Sequence, residues 1–198
     1  SMNILKELSP NAKWNDNWQR FSSSVQESTV KEWINGLNLP SSFLIVYFSA
    51  TENTKKIAQY IQKTKLADIK EIEPVEPYTN SDLNYNDPNS RSSKENQDSN
   101  SRPDIKEIGS LSNYDIIFLG YPIWFGKAPK VMYTFVENND LSGKTIILFC
   151  TSASSGLGQS ATELESKTQN AKYLKGQRFS SSQDENTVVN WVNSLDLT

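Results

Sequence analysis

Three apolar runs stand out along an otherwise polar chain: 43–49 (FLIVYFS), 114–119 (YDIIFL) and 144–150 (KTIILFC). Runs of this length, rich in β-branched and aromatic residues, read as strands buried on both faces. Each is followed by a turn-forming stretch and then by apolar residues at helical spacing. After the first come Ile57, Ala58 and Ile61, with Tyr60 on the flank; after the second, Val131, Met132, Phe135 and Val136 in a helix near 129–136. After the third, a helix is expected at 162–167, then a short strand at 171–174 and a last helix carrying Val188, Trp191, Val192 and Leu195. Between the first helix and the second run, 67–72 (ADIKEI) alternates weakly and suggests an edge strand. Residues 73–103 are polar and proline-punctuated, and read as a solvated crossover with room for one short helix. Strands alternating with helices at this spacing predict a parallel sheet covered on both faces.

The first 39 residues break the pattern. Residues 19–39 match 177–197 without a gap, identically at 13 of 21 positions, and 11–14 (NAKW) align with 170–173 (NAKY) after one residue of slippage. This is a duplicated strand–helix unit. The first copy carries the stripe Val30, Trp33, Ile34 and Leu37, and exposing it would forfeit roughly 1.5–3 kcal/mol per side chain. An extension at 1–40 ahead of a domain at 41–198 therefore needs something to pack on. The preferred reading is the tail of a tandem domain lying on this domain or a neighbour; the other is a homodimer in which the extension replaces its C-terminal counterpart.

Composition narrows the function classes. The chain has 198 residues, enough for one domain plus an extension, and a net charge of −3 with no basic patch, so nucleic acid and anionic membrane are not expected partners. No stretch resembles a signal peptide or approaches a membrane span. One cysteine permits no internal disulfide, which fits a cytoplasmic location, and the absence of histidine removes Ser-His-Asp catalysis and His-based zinc sites. No metal site is expected. Cys150 reads as core. A cysteine-phosphatase loop would need an arginine soon after it, and none occurs from 151 to 175.

Candidate chemistry lies in the three turns, all at carboxyl ends of strands, where open α/β sheets bind ligands. The first, 49–54, offers hydroxyls from Ser49, Thr51 and Thr54, the Asn53 amide and the free N–H groups of a helix start, which suits a phosphate. Taken alone it would also serve as an ordinary capped helix start. The second, Pro122, Ile123, Trp124, Phe125 and Gly126, offers a flat aromatic shelf, although core packing would use the same residues. The third, from Thr151 through Ser152, Ala153, Ser155 and Gly156 to Gly158, has small residues whose N–H groups can meet the polar edge of a ring. Taken alone it is equally a flexible turn. Phosphate, chain and flat heterocycle together describe flavin mononucleotide (FMN). Tyr78, in the polar crossover, is a weak candidate to shield it.

The runs YFSATENTKKIA, GYPIWFGKAP and LSGKTIILFCTSASSGLG, in this order, make residues 43–197 resemble a flavodoxin, more closely the short-chain bacterial flavodoxin-like proteins. The resemblance implies a three-layer α/β sandwich with a five-stranded parallel sheet in order 2-1-3-4-5, and a non-covalent FMN used for one- or two-electron transfer. It gives the phosphate to Ser49, Thr51, Asn53 and Thr54, with Ala50 and Glu52 completing that loop. It puts 122–126 against the isoalloxazine, where a carbonyl near Gly126 would accept a hydrogen bond from N5–H. Thr151, Ser152, Ser155 and Gly156, with Ala153 between them, fall near the ribityl chain and the pyrimidine edge. Electron carriage with a redox partner protein is the leading function, with no catalytic side chain of its own. An NAD(P)H-dependent FMN or quinone oxidoreductase on the same fold and a degenerate flavin-free scaffold are the alternatives. The family usually has glycine where this chain has Glu52. A positive φ there costs about 1 kcal/mol or more with a side chain present, and a carboxylate near a phosphate dianion is repulsive; the site survives, with weaker affinity, if Glu52 points outward and turns only its N–H to the phosphate.

Overall fold

The computed structural model describes residues 24, 43–65 and 67–197. Residue 24 apart, the first copy of the duplicated unit, with the division at residue 40 and any pairing through the extension, lies outside these residues. Among the described residues ten elements alternate: β1 (Phe43–Tyr47), α1 (Asn53–Lys65), β2 (Asp68–Glu71), α2 (Arg91–Gln97), β3 (Ile116–Pro122), α3 (Lys130–Asn138), β4 (Thr145–Thr151), α4 (Gln159–Glu165), β5 (Lys172–Phe179) and α5 (Glu185–Ser194). The strands form one sheet in order β2-β1-β3-β4-β5, every pairing parallel.

The inner strands are apolar on both faces because both are covered. Even-numbered residues of β1 and β4 and odd-numbered ones of β3 (Leu44, Val46, Ile117, Leu119, Tyr121, Ile146, Leu148, Cys150) pack with Val131, Met132, Phe135 and Val136 of α3 and Leu164 of α4. The opposite parity (Ile45, Tyr47, Phe118, Ile147, Phe149) packs with Ile57, Ala58 and Ile61 of α1 and Val188 and Val192 of α5. The stripe of α5 is closed by Trp191, edge-on to Phe118 and Phe179. Asp184 caps this helix, its carboxylate accepting from the Thr187 N–H at 3.0 Å. Gly120 lets the sheet and its side chains come together, since a Cβ there would lie 2.0 Å from the Phe149 ring.

Three boundaries differ from the sequence-based expectation. β3 runs on through Gly120 and Tyr121 to Pro122, because β4 continues alongside it to Thr151. The helix expected at 162–167 is Gln159–Glu165, beginning directly after Gly158. The short strand expected at 171–174 extends to Phe179. Its middle, Lys175 to Arg178, is polar because β5 is an edge strand, and its register against β4 shifts between Ile147 and Phe149. The crossover at 73–103 contains one short helix, α2, with Ser90 as its N-cap. No helix among the described residues is long and apolar enough to cross a membrane.

Candidate functional site

Because the strands are parallel, the turns after β1, β3 and β4 leave the sheet at one rim. Direct contacts join them there. Thr54 Oγ1 and Thr151 Oγ1 lie 2.8 Å apart and buried, linking the first turn to the third. The Ile123 N–H donates to the Thr151 carbonyl at 2.9 Å, linking the second to the third. The Phe48 and Trp124 rings meet edge to face at 5.5 Å, linking the first to the second.

In the first turn Glu52 adopts φ 61°, the left-handed region. Its carboxylate points outward, 71% exposed, and pairs with Lys55 Nζ at 2.9 Å. That contact holds the Lys55 ammonium above its ordinary pKa. The turn therefore keeps its one carboxylate away from its interior. Ser49 Oγ accepts from the Lys55 N–H at 3.3 Å, and Thr51 Oγ1 accepts from Asn53 Nδ2 at 3.2 Å. Among the described residues no N–H of Thr51, Glu52, Asn53 or Thr54 donates a hydrogen bond. Successive free donors around a left-handed residue, with hydroxyls beside them and the carboxylate turned out, form a nest for an anion. This donor set fits a phosphate group. The Thr54 hydroxyl faces inward to Thr151, so Thr54 offers its N–H to the turn and its side chain to the fold. Ala50 is half-buried against the core.

In the second turn Trp124 and Lys127 exchange backbone hydrogen bonds, 2.9 and 2.8 Å, around Phe125 at φ 50° and Gly126 at φ 76°. Two central residues at positive φ make a type I′ hairpin. Gly126 suits it, whereas Phe125 is bulky for that region. The hairpin lifts the Phe125 ring into solvent, 41% exposed, and leaves Trp124 half-buried. Trp124 is braced from the crossover: the Tyr78 ring stands edge-on to it at 5.1 Å and to Phe48 at 5.7 Å. The Tyr78 hydroxyl donates to Glu95 Oε2 at 2.7 Å, and Arg91 lies 4.1 Å over the Tyr78 ring while its Nε donates to Glu95 Oε1 at 2.8 Å. Burial, reinforced by the Glu95 carboxylate, pushes the Tyr78 phenol well above the usual tyrosine range. Phe48, Ser49, Ala50 and Tyr78 wall an open cleft of about 350 Å³.

In the third turn Thr151 is buried and Ala153, Ser155 and Gly156 are exposed. The Ser152 hydroxyl donates to the Ser155 carbonyl and accepts from Arg178 Nε at 3.2 Å. Gly158 closes the turn against the second one; a Cβ added there would lie 3.8 Å from the Gly126 carbonyl oxygen. Below the rim Cys150 is fully buried, and burial raises its thiol to about 12. It is core. The described residues hold no cluster of acidic, cysteine or histidine side chains suited to a metal ion.

A sequence model described as flavodoxin matches residues 42–195, the span containing this sheet and all three turns. The chain belongs to the flavodoxin family. Two solved structures, each described as a flavoprotein, are identical to it at more than a third of the aligned positions. The one from Bacteroides eggerthii is 36% identical over 80% of this chain and 99% of its own, with a TM-score of 0.74. The one from Bacteroides uniformis is 37% identical over 78% and 99%, with a TM-score of 0.75. A flavoprotein from Lactobacillus acidophilus, solved in complex with FMN, is 20% identical over 78% and 99%, with a TM-score of 0.57, a likeness of fold. No curated protein matches the chain.

In this flavodoxin the sixteen residues expected at the site thus lie in three turns and the strand ends Pro122 and Thr151 that lead into them, on one rim. What the sequence reading missed is what steadies them. Lys55 was within reach, three residues after Glu52 on a helix start. Tyr78 carried only a weak signal, and Arg178 none, since its placement follows from the register shift in β5.

Proposed function

We propose that this flavodoxin binds FMN without a covalent link and acts as an electron carrier. The observation that carries the reading is the nest at 51–54, with its unpaired N–H donors and outward carboxylate, fastened to the third turn through Thr54 and Thr151. Ser49, Thr51, Asn53 and the N–H groups of Glu52 and Thr54 would hold the phosphate. Trp124 and Phe125 would flank the ring, and Ser152, Ser155 and Gly156 would meet its polar edge. Bound there, FMN supplies one- or two-electron redox chemistry. The chain's own side chains orient it and exclude water; the hydroxyls, amides, rings and small residues of the three turns bind rather than move protons. The solved complex of the Lactobacillus protein supports FMN as the occupant.

The absorption spectrum of the purified protein, followed by titration with FMN, is the test. A flavin spectrum on purification, or saturable uptake of one FMN per chain, is expected; a colourless protein that takes up none would leave a flavin-free scaffold. Steady oxidation of NADH with a quinone acceptor would replace the carrier with an oxidoreductase.

A further inference from the structure

The register shift in β5 aims a charged side chain at the third turn. Residues five apart on a regular strand lie on opposite faces. Leu174 and Phe179 are five apart, yet both pack in the cluster with α1 and α5. Parity is reset where Ile147 to Phe149 of β4 face Leu174 to Gln177 of β5. Here the two backbones press together, and a Cβ at Gly176 would sit 2.4 Å from the Leu148 carbonyl oxygen and 2.7 Å from Leu157 Cδ1. Glycine is required. In an unbroken strand residue 178 would share the face of Leu174 and drive a guanidinium into that apolar cluster. After the reset it lies on the other face, opposite Cys150 in register and beside the third turn.

There Arg178 donates from Nε to Ser152 Oγ at 3.2 Å, from Nη2 to the Ser152 carbonyl at 2.8 Å, and from Nη2 to the Ala153 carbonyl. The segment from Ala153 to Gly156 has small, exposed side chains and little apolar area to hold it. A planar fork that ties two successive carbonyls and a hydroxyl supplies what packing does not, and lysine has no equivalent geometry. With those carbonyls turned to Arg178, no N–H from Ala153 to Gly156 donates to another group among the described residues.

We propose that Arg178, re-aimed by the Gly176 bulge, is the positioning residue that holds the turn at 151–156 ready for the edge of the flavin ring. The proposal rests on the FMN reading above. Preorganising a small-residue loop lowers the ordering cost of binding, so losing the fork should weaken flavin binding without touching the phosphate nest.

Arg178→Ala and Arg178→Lys in the full chain test it, by NMR backbone order parameters of the flavin-free protein, thermal melting, and titration with FMN and with riboflavin. In Arg178→Ala, order parameters across 152–158 should fall while those at 49–56 stay unchanged. Affinities for FMN and riboflavin should fall by the same factor, about tenfold for the loss of charge-assisted hydrogen bonds, and Arg178→Lys should recover part of it. Unchanged order parameters overturn the proposal, as do lowered ones with unchanged affinity. A loss that tracks a fall in melting temperature equally in both variants also overturns it, as a general stability effect. If the wild-type chain takes up no flavin, the FMN reading fails, and the order parameters across 152–158 alone decide whether Arg178 holds the turn.

Discussion

The turns after β1 and β3 each place a residue with a side chain where glycine is favoured, Glu52 at φ 61° and Phe125 at φ 50°, and the chain sustains the two differently. The second turn is self-contained. Its type I′ shape comes from four consecutive residues whose reciprocal hydrogen bonds close it, with Gly126 taking the other positive φ. The first turn is held from afar, by a buried hydroxyl pair between Thr54 and Thr151, 97 residues on. A local hydrogen-bonded turn keeps its conformation wherever the sheet puts it. A turn fastened by a distant partner exists only once the strands are in order.

The largest effect should come from cutting the distant tie. Thr54→Val leaves the Thr151 hydroxyl buried without a partner and should lower stability by about 1–3 kcal/mol, read from denaturant midpoints. Thr151→Val should do the same, and the double variant should lose less than the sum, because no polar group is then stranded. Additive losses would mean that the pair does not hold the turn.

Next comes pH, which should separate the two turns. The Tyr78 phenol that braces Trp124 is raised in the folded chain. Above about pH 10 the unfolded chain gives up that proton while the folded chain keeps it. The contribution is therefore whole below that pH and is lost as pH rises, by on the order of 1 kcal/mol one unit higher. The denaturant midpoint should fall in alkali through Tyr78, while the Thr54–Thr151 pair has nothing to titrate. In Tyr78→Phe this part of the alkaline dependence should vanish. If it persists, the sensitivity belongs to another tyrosine.

The smallest changes should be gains. Glu52→Gly and Phe125→Gly each relieve a positive φ and should raise stability by up to about 1 kcal/mol, offset in part by the extra freedom glycine gives the unfolded chain. Their FMN affinities should move in opposite directions. Glu52→Gly removes a carboxylate from beside the phosphate and should bind more tightly, whereas Phe125→Gly removes a ring from the shelf and should bind more weakly. Movement in the same direction would show that one of the two turns does not touch the cofactor.

The inner strands were legible because a parallel strand covered on both faces must be apolar throughout, so β1, β3 and β4 appear as runs with little ambiguity. The edge strand β5 was half legible. Ala171 to Leu174 reads as strand, but Lys175 to Arg178 face solvent or the third turn, and a bulge interrupts their alternation. The positions of the three turns could be read from where the runs stop. The inward rotation of the Thr54 hydroxyl could not, nor could the bracing of Trp124 by Tyr78, since each depends on a residue brought close only by the completed sheet.

The order of apolar runs and helical stripes was enough to specify an α/β sheet with three turns at the carboxyl ends of its strands, because side-chain periodicity and turn chemistry act over a few residues and are written consecutively in the chain. Which hydroxyls face each other, which ring braces which, and where Arg178 points were decided by tertiary structure. Those outcomes depend on strand register and on a single backbone irregularity at Gly176, and a shift of one residue there exchanges the two faces of everything that follows it.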